Sequence, residues 1–369
     1  MLRFEAALAA GARRAGLVDA AAAAAVADAC TKASDDVAAH LDLAALAAAT
    51  ATQATPVVDL VRQVRDLVDD DARAAVHVAA TSQDVLDTAL VLVARDASAE
   101  TLRTAHAVET LLRDLAAAHR DTVMVGRTLL QQGEPTTFGA LAAVRSVGVR
   151  EAAVRLAQVR VTRLAVQLGG AVGTLAPAGD RAEALVAAVA EELGLPASEV
   201  PWHVTRGRVA ELAAALGALT GELAGVARDV VLLASSDVAE VAVAVPGGSS
   251  AMPLKQNPAR AVLALACAHR VPALVATVVD GMPGDLQRAA GSWQAEAPVV
   301  VDLLRLAAAT AEHVRASLDG LVVHADRMRE NVDGLLARTG GTPAALAAAT
   351  AAAADVVDRA LRPPQEELG

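Results

Sequence analysis

The chain has 369 residues, of which 54 % are hydrophobic types and 1 % aromatic, and 32 basic against 43 acidic side chains leave a net charge of −11. Phe4, Phe138, Trp202 and Trp293 are too few for a nucleic-acid platform of stacked rings, and an acidic chain lacks the basic field that draws phosphate backbones. The apolar fraction excludes disorder, and the length allows two or three domains around a core of Ala, Leu and Val.

The amino-terminal stretch looks like a leader, but Glu5, Arg13, Arg14 and Asp19 interrupt it at helical intervals. Cys30 and Cys267, with no CxxC or Cys/His cluster, suggest neither a disulfide framework nor a metal. Later apolar runs are expected to be broken by charges before the ~18 residues that span a bilayer, so a cytoplasmic location is expected. Apolar residues recur every three or four positions almost throughout, which predicts an all-α chain. Helices are predicted at about 96–120, 137–168, 205–239, 257–279 and 292–318. In the first of these, Leu102, Ala105, Val108, Leu112 and Leu115 form one stripe. Several exceed the ordinary length of globular helices and suit a long bundle that subunits can share. Gly133-Glu134-Pro135, Gly194-Leu195-Pro196 and Pro246-Gly247-Gly248 are among the breakers, and 340–369 reads as one Ala-rich helix with a tail at Pro363-Pro364. The expected division is 1–95, a central bundle over 96–310, and a helical end over 311–369.

Four segments do not read as ordinary bundle sequence. Thr81-Ser82-Gln83-Asp84 fits a capping box, in which the Thr81 hydroxyl takes a backbone N–H and Asp84 reaches back. It equally fits an anion site at a helix start, with His77 as a further donor; a lone histidine is more often structural. Gly126-Arg127-Thr128 with Gln131-Gln132 reads as a loop ending at a Thr136/Thr137 cap, or as a carboxylate-recognition segment. Trp202-His203 with Arg206 and Arg208 fits a capped helix with solvated arginines, or a cationic pocket. Gly248-Ser249-Ser250 with Lys255, closed by an Asn257 cap and Pro258 at the first helical position, reads as a loop that closes over an anion. Ser249 is in no Ser–His–Asp motif, yet it can move a proton if Lys255 and backbone donors stabilise its alkoxide.

The last of these, Gly248-Ser249-Ser250-Ala251-Met252-Pro253-Leu254-Lys255-Gln256-Asn257-Pro258, is similar to the GSSxMPxKxNP signature of the fumarase/aspartase superfamily. The segments at Thr81–Asp84 and Arg127–Gln132 resemble its other shared regions, in the same chain order. Within it the chain resembles the bacterial 3-carboxy-cis,cis-muconate cycloisomerase family, through Gly169-Gly170-Ala171-Val172-Gly173-Thr174, Pro201-Trp202-His203 and Gly291-Ser292-Trp293-Gln294-Ala295-Glu296. Like that family, it has an apolar residue, Leu129, where the superfamily lyases carry a histidine.

The resemblance implies an all-helical three-domain subunit, a homotetramer around long helices, active sites shared between subunits, and no cofactor. It implies closure of 3-carboxy-cis,cis-muconate to 4-carboxymuconolactone in protocatechuate (β-ketoadipate) catabolism. Ser249 would transfer the proton, and Lys255 and Asn257 would hold the charge that builds on the substrate. Thr81, Ser82, Thr128, Gln132, His77, Arg206 and Arg208 would bind its carboxylates. Against the family the chain is expected to be shortened at both ends, and Ala79, Val78 and Gly207 replace a usual Gly, aromatic and Asp. Two other readings are an adenylosuccinate-lyase-like enzyme releasing fumarate, against which Leu129 argues, and an impaired helical scaffold. The intact Gly248–Pro258 loop argues against the scaffold.

Overall fold

The computed structural model describes residues 1–362, so the expected Pro363-Pro364 tail lies outside the described residues. In chain order the chain forms α1 (Leu2–Arg14), α2 (Ala20–Asp35), α3 (Val37–His40), α4 (Leu43–Gln53), α5 (Val57–Asp66) and α6 (Ser82–Ala118). A hairpin of β1 (Val123–Thr128) and β2 (Gln131–Thr137) follows, then α7 (Phe138–Thr162), α8 (Ala182–Leu193), α9 (Gly207–Leu233) and β3 (Val241–Ala242). The rest is α10 (Ala259–Ala268), α11 (Val271–Asp280), α12 (Ser292–Leu318), β4 (Val322–Val323), α13 (Ala325–Thr339) and α14 (Pro343–Leu361). The fold is all-α, as expected.

Local chemistry sets many helix ends. The side chains of Asp19, Asp36 and Asp42 accept the backbone N–H groups of Ala22, Ala39 and Ala45 and so start α2, α3 and α4. Thr342 does the same for α14, whose first residue is Pro343. The stretch expected as one helix over 257–279 is two, because α10 ends at a turn through His269 and Arg270. Pro272, near the start of α11, has no N–H to continue a helix from that turn.

The described chain groups into two compact units, one of Met1–Ala97, Gln158–Ala213 and Leu274–Asp302, the other of Ser98–Ala157, Ala214–Ala273 and 303–362. Four of the five boundaries fall inside the long helices α6, α7, α9 and α12: at ~1.5 Å per residue α6 runs about 55 Å, further than one small core extends.

In the first unit α1 packs on α2 and α8, with Phe4 and Leu8 fully buried. Alanine and glycine permit this approach; a Cβ at Gly11 would lie 2.7 Å from the Val189 side chain. In the second unit Met124, Phe138, Leu233, Val241 and Met328 form one core cluster, and Val125, Val332, Leu335 and Leu346 another.

The β1–β2 hairpin corrects the expected loop over 126–139. Its turn residues, Leu129 and Leu130, both have positive φ, 52° and 62°, where Asn-Gly is the usual signal. That sequence hides the turn. Gly126 is needed at the bulge, since a Cβ there would lie 2.8 Å from the Glu134 carbonyl oxygen.

One buried carboxylate fastens the hairpin. Arg127 donates from both Nη atoms to Glu240, at 2.9 and 2.8 Å, and Asn331 on α13 donates to the same side chain at 2.8 Å. Glu240 is fully buried.

Charges do break the apolar runs, as expected, with Glu211 and Glu222 in α9 and Arg270 between α10 and α11, yet two stretches stand out for their apolar character. Gly207–Leu233 and Ala259–Asp280 are long and apolar enough to cross a bilayer by length and composition. The most apolar window of the first is 56 % buried in the protein, and that of the second only 17 %.

Removing one partner of a buried pair strands the other's charge. Glu240→Ala is therefore expected to lower unfolding free energy by about 3–5 kcal/mol in urea titration. Glu312→Ala, which breaks a surface pair with Arg315, is expected to cost at most about 1 kcal/mol. Equal effects would remove Glu240 from this role.

Candidate active site

The start of α6 is the most densely bonded polar region of the first unit. Asp84 lies in the first turn of the helix, on the inward stripe with Asp87, Thr88 and Val91, and has no solvent exposure. Its carboxylate accepts Thr81 N (3.0 Å), Gly169 N (3.0 Å) and Gly170 N (2.9 Å), and meets His203 Nε2 at 2.7 Å. Half of the expected capping box is present: Asp84 reaches back to the Thr81 N–H. The Thr81 hydroxyl instead accepts from Arg288. Gly170 is required by its φ of +68° and by the Ala79 carbonyl, which a Cβ would approach to 2.7 Å.

Arg206 and Trp202 form a second buried group. The guanidinium donates to Asp87 at 2.8 and 2.9 Å and to both oxygens of Glu296, with Nε–Oε2 at 3.1 Å. It also lies 4.9 Å from the centre of the Trp202 ring. Burial works against its charge, but Asp87 and Glu296 outweigh burial and hold the guanidinium above its ordinary value. Burial, opposed by Arg206, pushes the Glu296 carboxyl above the usual range. Arg206 is thus committed to internal carboxylates, which differs from the free fork expected of a substrate-binding arginine. Arg208 is half-buried and donates to the Arg163 carbonyl at 3.1 Å. His77 is tied through Nδ1 to Glu5 at 2.8 Å.

In the second unit the signature loop is closed at its base. Gly247 and Asn257 exchange backbone hydrogen bonds at 2.8 and 2.9 Å, and the Asn257 amide donates to the Gly248 carbonyl at 3.1 Å. The expected Asn257 cap is therefore corrected: Pro258 holds the cap position of α10 without a side-chain bond, because the Asn257 side chain turns back into the loop. Inside that loop the Ser249 Oγ accepts the backbone N–H groups of Ala251 (3.3 Å) and Met252 (3.1 Å). Two N–H groups aimed at one oxygen are the arrangement that stabilises a negative oxygen. Lys255 is exposed on the same loop. Thr128 and Gln132 lie on opposite strands beside the hairpin turn, and the Gln132 side-chain oxygen accepts from Arg338.

Of the residues expected from the sequence, His77, Thr81, Ser82, Arg206 and Arg208 belong to the first unit. Thr128, Gln132, Ser249, Lys255 and Asn257 belong to the second. The sequence assigns no site role to Glu5, Asp87, Arg288, Glu296 or Glu240. For Glu5 and Asp87 a signal existed, since each places a carboxylate on the apolar stripe of its helix. For Arg288 none did, because its partner is distant in sequence.

Comparison with known proteins supplies the frame for this geometry. Residues 1–273 match the lyase family. The chain is 40 % identical over 340 residues to a 3-carboxy-cis,cis-muconate cycloisomerase of Bradyrhizobium diazoefficiens, covering 90 % of this chain and 74 % of that one. It is 41 % identical to a nitrosuccinate lyase of Streptomyces davaonensis over 351 residues, covering 90 % and 72 %. The crystal structure of the β-carboxy-cis,cis-muconate cycloisomerase of Acinetobacter calcoaceticus superposes with a TM-score of 0.85 at 33 % identity, covering 97 % of this chain and 81 % of that one. By sequence and fold the chain is an enzyme of the lyase family in the fumarase/aspartase superfamily, with bacterial 3-carboxy-cis,cis-muconate cycloisomerases among its near relatives.

Proposed function

We infer that the chain closes 3-carboxy-cis,cis-muconate to 4-carboxymuconolactone, the substrate class named for its relatives. The observation that carries the mechanism is the pair of backbone N–H groups on Ser249 Oγ. In the lactonising direction Ser249 gives its proton to the carbon next to a carboxylate while the distal carboxylate attacks C4. A new C–O bond forms, the double bond is protonated, and the serine is left as an alkoxide. The Ala251 and Met252 N–H groups and Lys255 hold that negative charge until a proton from solvent restores the hydroxyl. In reverse the same oxygen removes the proton.

The substrate's carboxylates are held at the start of α6 by Thr81, Ser82, His77 and Arg288, where backbone N–H groups and hydroxyls favour an anion. Thr128 and Gln132 add donors from the hairpin. Asn257 shapes the loop, and Arg206 and Arg208 set the polypeptide that follows Trp202. Four copies assemble so that each site draws residues from neighbouring chains. Support for assembly comes from the exposed apolar surface of Ala259–Asp280 and from Leu129, 95 % exposed at the hairpin tip. The enzyme works in the cytoplasm, in protocatechuate catabolism, without a cofactor.

A second reading, favoured by the 41 % identity to a nitrosuccinate lyase, keeps the same proton transfer but expels a leaving group.

Purified protein incubated with 3-carboxy-cis,cis-muconate is expected to remove the diene absorbance. No loss of absorbance from an assembled oligomer would overturn the cycloisomerase reading, and turnover of nitrosuccinate would favour the second. Ser249→Ala is expected to lower turnover by about 10²–10⁴-fold with helicity and assembly unchanged. Near-normal turnover would remove Ser249 from its role. Sedimentation is expected to show a tetramer, and Leu263→Asp on the exposed face of α10 to dissociate it. A monomeric parent protein would sink the shared-site arrangement.

A further inference from the structure

Glu5 is out of place for folding alone. It lies on the inward stripe of α1 with Leu8, Ala9 and Ala12, and is fully buried. Its Oε1 lies 2.8 Å from His77 Nδ1, and its Oε2 has no hydrogen-bond partner. A buried carboxylate with one oxygen unsatisfied costs several kcal/mol relative to an apolar side chain of similar size, about what an effective desolvation penalty amounts to. Cys30 on α2 faces the same carboxylate; burial first, and then the charge of Glu5, push its thiol up to about 12. The amino group of Met1 faces it as well.

The backbone on the other side is also held at a cost. His77 has φ +63° and Ala79 φ +58°, two left-handed residues within three positions and neither a glycine. Each such residue is strained, because its Cβ crowds the backbone. Both costs converge on one contact, four residues before Thr81. Stability would be served by a leucine at position 5 and a glycine at 77. The contact instead sets the orientation of one imidazole.

We propose that Glu5 is a positioning residue that fixes the His77 ring, with Nδ1–H held by the buried carboxylate and Nε2 turned to a substrate carboxylate at the start of α6. A carboxylate only accepts, so the nitrogen facing Glu5 carries a proton, and a substrate carboxylate at Nε2 requires an N–H there too; the ring binds it as the doubly protonated imidazolium, with Glu5 as the buried counter-charge. The His77 side chain keeps 16 % of its surface exposed while Glu5 keeps none, so the ring offers one edge to solvent. The role assigned to His77 rests on the carboxylate-binding reading above; the proton on its Nδ1 does not.

The test uses full-length protein labelled with ¹⁵N-histidine, with His77 assigned through its absence in His77→Asn. Long-range ¹H–¹⁵N spectra are expected to show a proton on Nδ1 of His77 in the wild type and in Glu5→Gln, whose amide oxygen still accepts. In Glu5→Leu the proton is expected to move to Nε2. For turnover, Glu5→Leu is expected to raise KM about tenfold while kcat changes little, as for loss of uniform binding, and Glu5→Gln, which keeps the acceptor but loses the counter-charge, to raise KM by less. A wild-type ring with Nε2–H and a bare Nδ1 overturns the proposal without any variant, and does so even if Glu5→Leu fails to fold. Unchanged KM in a folded Glu5→Leu protein removes the positioning role. If the wild type does not turn over 3-carboxy-cis,cis-muconate, the substrate reading fails while the nitrogen spectra still decide the Glu5–His77 arrangement.

Discussion

The first unit depends on a carboxylate that water does not reach. Asp84 gathers the N–H groups of Thr81, Gly169 and Gly170 and the ring of His203. Those donors come from the helix start, from the segment after α7 and from the segment before α9. Each is a backbone or ring group that would be left unsatisfied if the carboxylate were absent. A charge buried with this many donors is tolerable, and the same donors make it directional. The turn entering α6 is thereby held in one geometry, with the Thr81 hydroxyl and the first N–H groups of the helix left at its tip. Asp87, one turn further along the same face, repeats the solution with Arg206 and Glu296.

The second unit uses the same device once more, at Glu240, and there it serves a strained element. A hairpin with two leucines at positive φ is a poor turn by local preference. The Arg127 fork and Asn331 bind Glu240 from two sides and tie the hairpin to α13. The signature loop is stabilised differently. It is closed by backbone bonds at Gly247 and Asn257 and is otherwise exposed, with Leu254 almost entirely in solvent. A base closed by backbone bonds with an exposed crown is the arrangement the proposed closure over a ligand calls for. The two N–H groups on Ser249 come from within the loop, so that local arrangement can travel with it.

Much of the fold was legible. The three- and four-residue spacing of apolar side chains announces helices, whereas the caps at Asp19 and Thr342 emerge from the structure. The hairpin was not legible, because Leu129-Leu130 carries no turn chemistry and the strands are held largely by partners elsewhere. The break at His269 and Arg270 was equally hidden in an unbroken apolar pattern. The ordered motifs single out Thr81, Thr128 and Ser249 as candidates, and they suggest for the Asn257 side chain a cap that the structure replaces with a loop contact. A cap and a loop staple need the same residue, and only the path of the chain chooses.

By itself the sequence determined the helical class, the acidic aromatic-poor character of the chain and its membership in the lyase family, because periodicity and motif order are local and one-dimensional. Only the tertiary structure decided which charges are spent on the fold. Arg206 and Arg127 read as free cations in the sequence and are neutralised by Asp87, Glu296 and Glu240 in the protein. Their partners lie 90 to 119 residues away along the chain. Nothing in a linear pattern pairs residues at that range; the pairing follows from the requirement that a charge leaving water must find its opposite.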